Sequence, residues 1–294
     1  MTESDWLAER FQQNRPRLRA VAYRMLGSFA EAEDAVQEAW LRASKADASG
    51  VENIGAWLST IVARVCLNML RSRRARPEQP MGVHVPDPVI SNADGMSPED
   101  EVLLADAVGM ALQVVLDTLT PSERLAFVLH DMFGLSFDEI APVVGRSPAT
   151  ARQLASRARR RVRGADVQAP DADIASQREV VEAFFAAAHR GDLDALVAVL
   201  DPDVVVRTDC APAFAELSGV RRGAANVARQ ALAIANPAIA KLPVLVNGAA
   251  GVVAMLDGEL GAVMAFTVSG GKVVEINAII DPERVRAFHL PALD

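Results

Sequence analysis

The 294-residue sequence has little cysteine, and its two cysteines, Cys66 and Cys210, lie far apart and form no CxxC pair. This scarcity argues against a disulfide framework and against a zinc site, and it suits a reducing cytosol. Residues 1–18 have no apolar core of a signal peptide. No stretch approaches the roughly 18–20 uninterrupted apolar residues that a membrane span needs. These absences predict a soluble cytoplasmic protein without a membrane segment.

Charge is plentiful but unevenly distributed, and the formal net charge is -8. Residues 1–165 carry 20 Lys and Arg against 21 Asp and Glu, whereas residues 166–294 carry 10 against 17. Six arginines fall between positions 152 and 163, and a second basic cluster occupies residues 70–76. An acidic chain can still bind nucleic acid where basic residues cluster locally. The two clusters are therefore candidate DNA contacts.

The pattern of the sequence divides the chain into five segments. Residues 1–76 and 99–165 have helical periodicity. Between them, residues 77–98 contain five prolines and two glycines without an apolar period, which predicts a linker. A second, short linker is expected at 166–173. In residues 174–290, helical segments and valine-rich segments predict an α+β domain with a curved antiparallel sheet.

Residues 120–163 carry the start and stop signals of a helix-turn-helix. Thr120 and Ser136 each open a capping box, with a glutamate three residues later. Gly145 is placed to end the second helix, and Ser147 to cap a third that has proline at its first position. A helix, a short turn with glycine and a capped second helix are typical of DNA-binding proteins.

The third helix is predicted to have an inward and an outward face. Apolar residues recur at spacings of three and four and should pack inward: Ala151, Leu154, Ala155, Ala158 and Val162. The opposite face has polar side chains that can read base edges, since arginine pairs with guanine and glutamine with adenine: Arg152, Gln153, Ser156, Arg157 and Arg160. Arg159, Arg161 and Arg163 are better placed to neutralise phosphates, or to rest against the acidic tail. The alternative is a solvated basic face on an ordinary helix.

Three motifs together resemble the extracytoplasmic-function sigma factors of bacteria. AEDAVQEAWLRA at 32–43 resembles the segment of region 2 that docks on the clamp helices of RNA polymerase. AWLSTIVARVCLNMLRSRR at 56–74 is similar to the segment that melts and reads the −10 element, and residues 119–163 resemble the −35-reading region 4. The resemblance implies a promoter-specificity subunit whose partners are core RNA polymerase and promoter DNA.

Positions that match the family's motifs acquire roles through this resemblance. It implies polymerase docking by residues of the first motif: Asp34, Gln37, Glu38 and Leu41. It implies −10 contacts by residues of the second: Trp57, Arg64, Asn68 and Arg71. It also implies that the loop at 46–55 captures a flipped base. The alternative is a helix-turn-helix regulator that acts without core polymerase, and such a regulator would not need residues 26–76.

Residues 174–290 resemble a SnoaL-like, cone-shaped α+β barrel, which a subgroup of these sigma factors carries. Three segments stand where the linker and tail motifs of the subgroup are expected, at 83–89, 209–212 and 281–285. The resemblance implies that the tail regulates activity in cis, in place of a separate anti-sigma protein. In addition, Gly270-Gly271 predicts a tight hairpin turn, because glycine tolerates positive φ.

The alternative for the tail is an enzyme-like, ligand-binding domain. Asp209 and Cys210, with His189, are its candidate pocket residues. The only tyrosine, Tyr23, lies outside the tail, and no acid–base pair is visible. We therefore predict no catalysis, no cofactor and no metal, while a small-molecule ligand of the barrel stays open. Cys66 is predicted to be a buried helix residue, and Cys210 is a candidate redox-sensing thiol.

Overall fold

The computed structural model describes residues 3–75, 83–92, 109–165, 168–236, 238–256 and 259–288. It contains two compact units, one of residues 1–79, 101–106 and 112–167 and the other of residues 80–100, 107–111 and 168–294. The first unit is helical and the second is built on a sheet, as the sequence predicts. Parts of the predicted linkers and of region 4, at 77–82, 93–108 and 166–167, lie outside the described residues, so the domain limits stay predictions.

The predicted region 2, described over residues 3–75, contains three helices: α1 (Glu3–Leu26), α2 (Phe29–Ala43) and α3 (Ile54–Ala75). Their apolar faces pack together, and the side chains at the centre are almost fully buried: Leu18, Val21, Val36, Leu58 and Val62. Ion pairs join the helices at the edge of this core. Glu33 pairs with Arg15 at 2.9 Å and also with Arg19, and Glu31 pairs with Arg73. These acidic side chains of α2 are therefore occupied within the domain.

The described part of the predicted region 4, residues 109–165, contains four helices: α4 (Gly109–Thr118), α5 (Pro121–Phe127), α6 (Phe137–Val144) and α7 (Pro148–Gly164). Both capping boxes are present, because the Thr120 and Ser136 side chains accept from the backbone N–H of Glu123 and Glu139. Gly145 ends α6 in the left-handed conformation, at φ 70°. The predicted helix limits are confirmed. A π-helical turn at Val128–Met132 follows α5 and was not predicted.

Hydrogen bonds join region 2 to region 4 within the helical unit. The Arg124 Nε donates to the Arg24 carbonyl at 2.9 Å, and Arg124 also pairs with Asp117. The Gln113 side chain donates to the Tyr23 carbonyl at 3.3 Å. Since Arg124 and Gln113 are buried, unpaired polar atoms there would be costly, and these bonds stabilise the packing of the two regions.

The second unit contains a seven-stranded sheet and its covering helices. The strands are β1 (Ile90–Ser91), β2 (Leu200–Cys210), β3 (Gly219–Arg222), β4 (Ala240–Val246), β5 (Ala249–Leu256), β6 (Glu259–Ser269) and β7 (Lys272–Ile280). The helices are α8 (Ile174–Arg190), α9 (Leu193–Val199), α10 (Ala224–Ile234) and α11 (Pro282–Arg286), with a 3₁₀ segment at Pro212–Leu217. The strand order is β1-β4-β5-β6-β7-β2-β3. None of the described helices is long and apolar enough to span a membrane.

The sheet differs from the prediction in two ways. It is not wholly antiparallel, because β2 pairs with β7 in parallel. It also includes residues of the predicted linker, since β1 pairs with β4 and forms one edge of the sheet. Gly270 and Gly271 adopt positive φ and form the predicted turn between β6 and β7. The carboxylate of Asp171, in the second predicted linker, accepts from both of their N–H groups at 3.0 Å.

Candidate functional site

The helix α7 presents the outward face that the sequence predicts. Ser147 caps it by accepting from the Thr150 N–H at 3.3 Å. On the inward face Ala151, Ala155 and Ala158 are fully buried, whereas Leu154 and Val162 are half-buried. The predicted base-reading side chains are all exposed: Arg152, Gln153, Ser156, Arg157 and Arg160. The helix therefore presents a row of hydrogen-bond donors and acceptors on its exposed face.

The arginines that end α7 divide into paired and unpaired side chains. The Arg159 Nε donates to Asp131 Oδ1 at 2.5 Å, and the Arg161 Nη1 donates to Glu123 Oε2 at 3.0 Å. Burial would raise the pKa of Glu123, but hydrogen bonds from Thr120 and the charges of Arg161 and Arg157 lower it below its ordinary value. Arg159 and Arg161 thus tie α7 to the rest of region 4. Arg160 has no such partner among the described residues.

On α3 the predicted −10 residues form one stripe. Arg64, Asn68 and Arg71 are exposed and follow each other at spacings of four and three, and Trp57 lies half-buried two turns earlier. The Arg64 Nη2 donates to the Pro142 carbonyl of region 4 at 3.3 Å. Of the four predicted −10 side chains, Arg64 is therefore hydrogen-bonded within the helical unit. The neighbouring loop is held by its own hydrogen bond, from the Ser49 N–H to Asp47 Oδ1 at 2.9 Å.

The predicted docking residues lie on the outer face of α2. Asp34, Gln37 and Leu41 are exposed, and Glu38 is half-buried and paired with Arg42 at 2.8 Å. Leu41 is 53% exposed, which is high for a large apolar side chain. Gln37 and Leu41 border a groove of about 310 Å³ between α1 and α2. The exposed Leu41 lies beside this groove, and the Asp34 carboxylate has no ion pair among the described residues. A surface with both features is suited to contact with another protein.

Three segments far apart in the sequence meet at Arg284. Its Nε donates to Asp87 Oδ1 at 2.9 Å, and its Nη1 donates to Asp209 Oδ2 at 2.7 Å. Its Nη2 donates to Asp87 Oδ1 at 2.7 Å and to the Val85 carbonyl. The Val85 N–H donates to Asp209 Oδ2 at 2.9 Å. We call Val85, Asp87, Asp209 and Arg284 the linker clamp, because they hold residues 83–89 on the barrel.

Further contacts extend the linker clamp along the sheet edge. The Val89 N–H donates to Asn247 Oδ1 at 2.8 Å, and the Asn247 N–H donates to the Val89 carbonyl at 2.8 Å. Val85 and Ile90 bury their apolar side chains. The described part of the linker is therefore an ordered component of the barrel.

The electrostatics of the linker clamp favour an ionised Asp209. Burial by itself would raise the pKa of this carboxyl, but hydrogen bonds from His84 and the Val85 N–H, together with the Arg284 charge, lower it below its ordinary value. The depressed pKa means that this stabilising interaction is present above the ordinary Asp pKa and is lost as the pH falls through the folded-state pKa. The Asp209 carboxylate that pairs with Arg284 is accordingly ionised at neutral pH.

Comparison with known proteins agrees with this geometry. The sigma-70 region 2 family matches residues 10–76, and the sigma-70 region 4 family matches residues 109–162. The ECF RNA polymerase sigma factor SigJ of Mycobacterium tuberculosis is 38% identical over 93% of this chain and 91% of its own. The chain belongs to the ECF RNA polymerase sigma factors. It is an alternative RNA polymerase sigma factor with a C-terminal SnoaL-like domain.

One further relative and one solved structure show that the likeness includes the tail of this sigma factor. The probable ECF RNA polymerase sigma factor SigI of M. tuberculosis is 33% identical over 96% of both chains. The crystal structure of SigJ covers 98% of this chain and 100% of its own at 34% identity, with a TM-score of 0.74. The linker and barrel are therefore shared parts of this architecture.

The barrel of this sigma factor contains a partly open cavity of about 290 Å³. Its walls are largely apolar and come from α8, α10, the 3₁₀ segment and the strands β2 and β4–β7. The predicted pocket residue His189 lines it, whereas Asp209 and Cys210 do not. Thr208 lines the cavity, and the next residue, Asp209, belongs to the linker clamp. The lining residues come from many elements, so the sequence alone had not indicated them.

Neither cysteine of this sigma factor is activated. Burial raises the pKa of Cys66 to about 12, and partial burial with nearby carboxylates raises that of Cys210 to about 11. At pH 7.5 about one in ten free cysteines is a thiolate, and the raised pKa makes the thiolate of Cys210 far rarer than that. We expect iodoacetamide to alkylate Cys210 about 100-fold or more slowly than glutathione, as measured by mass spectrometry. Alkylation at the rate of a free thiol would contradict this, and protein unfolded in guanidinium is the control.

Proposed function

We propose that this sigma factor directs core RNA polymerase to promoters in the cytoplasm, reading the −35 element with α7 and the −10 element with α3. The exposed row on α7 is the observation that carries the proposal. Arginine and glutamine there can form bidentate hydrogen bonds to guanine and adenine in the major groove. The row ends at Arg160, between Arg159 and Arg161, whose bonds to region 4 hold this end of the helix in place.

The second step of this proposal is promoter melting by region 2. The stripe of Arg64, Asn68 and Arg71 combines positive charge with an amide, which suits a single strand whose bases are exposed. Trp57 adds an aromatic surface at one end of that stripe. Extruding a base costs a few kcal/mol, and stacking and polar contacts on α3 and the 46–55 loop would offset that cost. Arg64 would have to leave the Pro142 carbonyl to take part.

A regulator that binds DNA without polymerase is the second candidate. Such a regulator would explain the exposed polar row on α7 equally well, but it would leave the exposed face of α2 without a role. Run-off transcription from genomic fragments separates the two candidates. We expect promoter-dependent transcripts only when this chain is added to core polymerase. DNA binding without such transcripts, from both the full chain and residues 1–165, would favour the regulator.

We further propose that the tail regulates transcription in cis through the linker clamp and has no catalytic role. The clamp supports the first part, because it attaches the segment between regions 2 and 4 to the barrel. Region 2 and region 4 bind promoter elements a fixed distance apart, so the freedom of the linker affects whether both can bind at once. The cavity supports the proposal that the tail has no catalytic role, since no carboxylate is among its described lining residues.

Replacing Arg284 by methionine tests the regulatory proposal. Loss of this half-buried cation removes the ion pairs to Asp87 and Asp209, which costs roughly 2–4 kcal/mol of linker docking. We expect hydrogen exchange of residues 83–92 to accelerate by about 30-fold or more. We also expect the full-length variant to transcribe at the level of a truncation after residue 165.

The matched control is Arg286→Met. Arg286 is more than half exposed and lies 3.6 Å from an exposed Glu259 carboxylate, so its loss should change neither hydrogen exchange nor transcription. The regulatory proposal fails if the Arg284 variant releases the linker and still transcribes as the wild type does, while the truncation does not.

A further inference from the structure

The cavity in the barrel exists because small side chains face one another across the sheet. Ala254 and Ala262 are direct cross-strand partners, and Ala278 and Gly261 also line the space. Protein interiors are normally packed to the density of organic crystals, and larger residues at these positions would fill the volume. The alanines therefore leave a space of about 290 Å³ with an apolar wall.

The size of this space suggests the size of a ligand. A cavity of about 150 Å³ lined by apolar side chains is known to bind benzene. This cavity has about twice that volume, which corresponds to an apolar body of roughly ten to twelve carbon atoms. Its aromatic and aliphatic walls, such as Phe184, Ile234 and Met264, suit a hydrocarbon chain or a fused ring.

One rim of the cavity carries an ammonium group. Lys241 lies on β4 directly across from Ala254, so its side chain extends over the space that the small neighbour leaves. Its Nζ donates to His189 Nε2 at 3.1 Å and to the Ile239 carbonyl at 3.2 Å. An ammonium has three donors, and the third has no hydrogen-bond partner among the described residues. The charge also lies 5.4 Å from the centre of the Phe185 ring.

The charge of Lys241 has no counter-ion in the part of the chain that the structure describes. No carboxylate of the described residues lies within 4.0 Å of its Nζ, whereas several arginines of the barrel have such a partner, as in Arg207 with Glu275 at 2.7 Å. Burial lowers the pKa of Lys241 below its ordinary value, because the ammonium is partly removed from water. An anionic group at this rim would restore the lost solvation and take the third hydrogen bond.

We propose that the barrel binds an apolar monocarboxylic acid, with its hydrocarbon body in the cavity and its carboxylate on Lys241. The apolar wall favours a ligand with a hydrocarbon body. The ammonium of Lys241 favours a carboxylate headgroup over an alcohol or an amine. His189 holds the Nζ in place by accepting one of its hydrogen bonds. The lysine is one of only three in the sequence, with Lys45 and Lys272.

Calorimetric titration of the full chain with decanoate and with decanol at pH 7.5 tests this proposal. Both molecules have the same apolar length, so their difference isolates the headgroup. We expect saturable binding of decanoate, about tenfold or more tighter than that of decanol, because a charge-assisted hydrogen bond adds to the apolar term. Equal affinities, or no saturable binding of decanoate, would overturn it.

Two variants locate the site. Lys241→Met keeps the length of the side chain but removes the charge, so the preference for decanoate should vanish while decanol binding is kept. Lys272→Met, at an exposed position in the β6–β7 hairpin, should retain the full preference. The proposal is wrong if the two variants behave alike.

Ala262→Leu then tests the cavity itself. The added side-chain carbons would occupy part of the space, so decanoate and decanol should both bind about tenfold or more weakly. Its thermal unfolding midpoint reports whether the variant is folded. Unchanged binding in a folded variant would contradict the proposal, and should it not fold, the comparison of Lys241→Met with Lys272→Met decides. None of these measurements uses polymerase or DNA, so their outcome is independent of the proposed function.

Discussion

Arg157→Ala is expected to lower promoter-dependent run-off transcription by about 10- to 100-fold. Its guanidinium lies on the exposed row of α7, four residues after Gln153 and one helical turn along the same face. A bidentate contact between arginine and guanine contributes about 1–3 kcal/mol of discrimination, which corresponds to roughly 5- to 150-fold. The measurement uses core polymerase and the promoter that the wild-type protein selects from genomic fragments.

The matched control for this prediction is Arg159→Ala, two residues further along the same helix. Arg159 is turned toward Asp131, to which it donates at 2.5 Å, so its loss should affect the stability of region 4 more than its DNA contacts. We expect a lower thermal unfolding midpoint but less than about a threefold loss of transcription, after correction for folded protein. Equal losses from the two substitutions would mean that α7 binds DNA only through its total charge, and that Arg157 reads no base.

The sequence predicts the recognition helix well because its signals are local. The caps at Thr120, Ser136 and Ser147 depend on residues three positions away, and the left-handed turn depends on Gly145 alone. The inward face follows from the helical period. In contrast, the π-helical turn at Val128–Met132 has no local signature, since it depends on how the chain fits between α5 and α6.

The parts that the sequence does not predict depend on pairing over long distances. Residues 83–92 contain prolines and no apolar period, yet Ile90 joins the sheet by pairing with Val246, more than 150 residues away. The linker clamp also depends on contacts between distant residues, because Asp87, Asp209 and Arg284 give no signal individually in the sequence. The family resemblance had marked all three segments without indicating that they meet.

The residues that line the cavity also could not be predicted from the sequence. Ala254, Ala262 and Lys241 each occur in strands whose valine-rich pattern predicts only a sheet. Their common face becomes apparent once the cross-strand register is known, because the side chain period of two places each residue on one side or the other. Asp209 and Cys210 were proposed for the pocket from their chemistry, but the alternation along β2 turns Asp209 away from Thr208 and toward the linker clamp.

Asp34→Arg is expected to abolish retention of this sigma factor on immobilised core polymerase, with a loss of affinity of about 30-fold or more. Asp34 is exposed and has no ion pair among the described residues, so its charge is available to a basic partner surface. Reversing the charge at a docking surface removes an attraction and adds a repulsion, and such changes cost about 2–5 kcal/mol. Retention is measured by pull-down and quantified by fluorescence anisotropy.

The neighbouring carboxylate provides the control for this substitution. Glu33 is bound to Arg15 and Arg19 of α1, so Glu33→Gln should lower the stability of region 2 while leaving the docking face intact. We expect its affinity for core polymerase to stay within about threefold of the wild type. If Asp34→Arg binds as well as Glu33→Gln, then α2 does not face the polymerase. The exposed Leu41 and the groove beside it would then need another partner, and another surface of this sigma factor would have to hold the core polymerase.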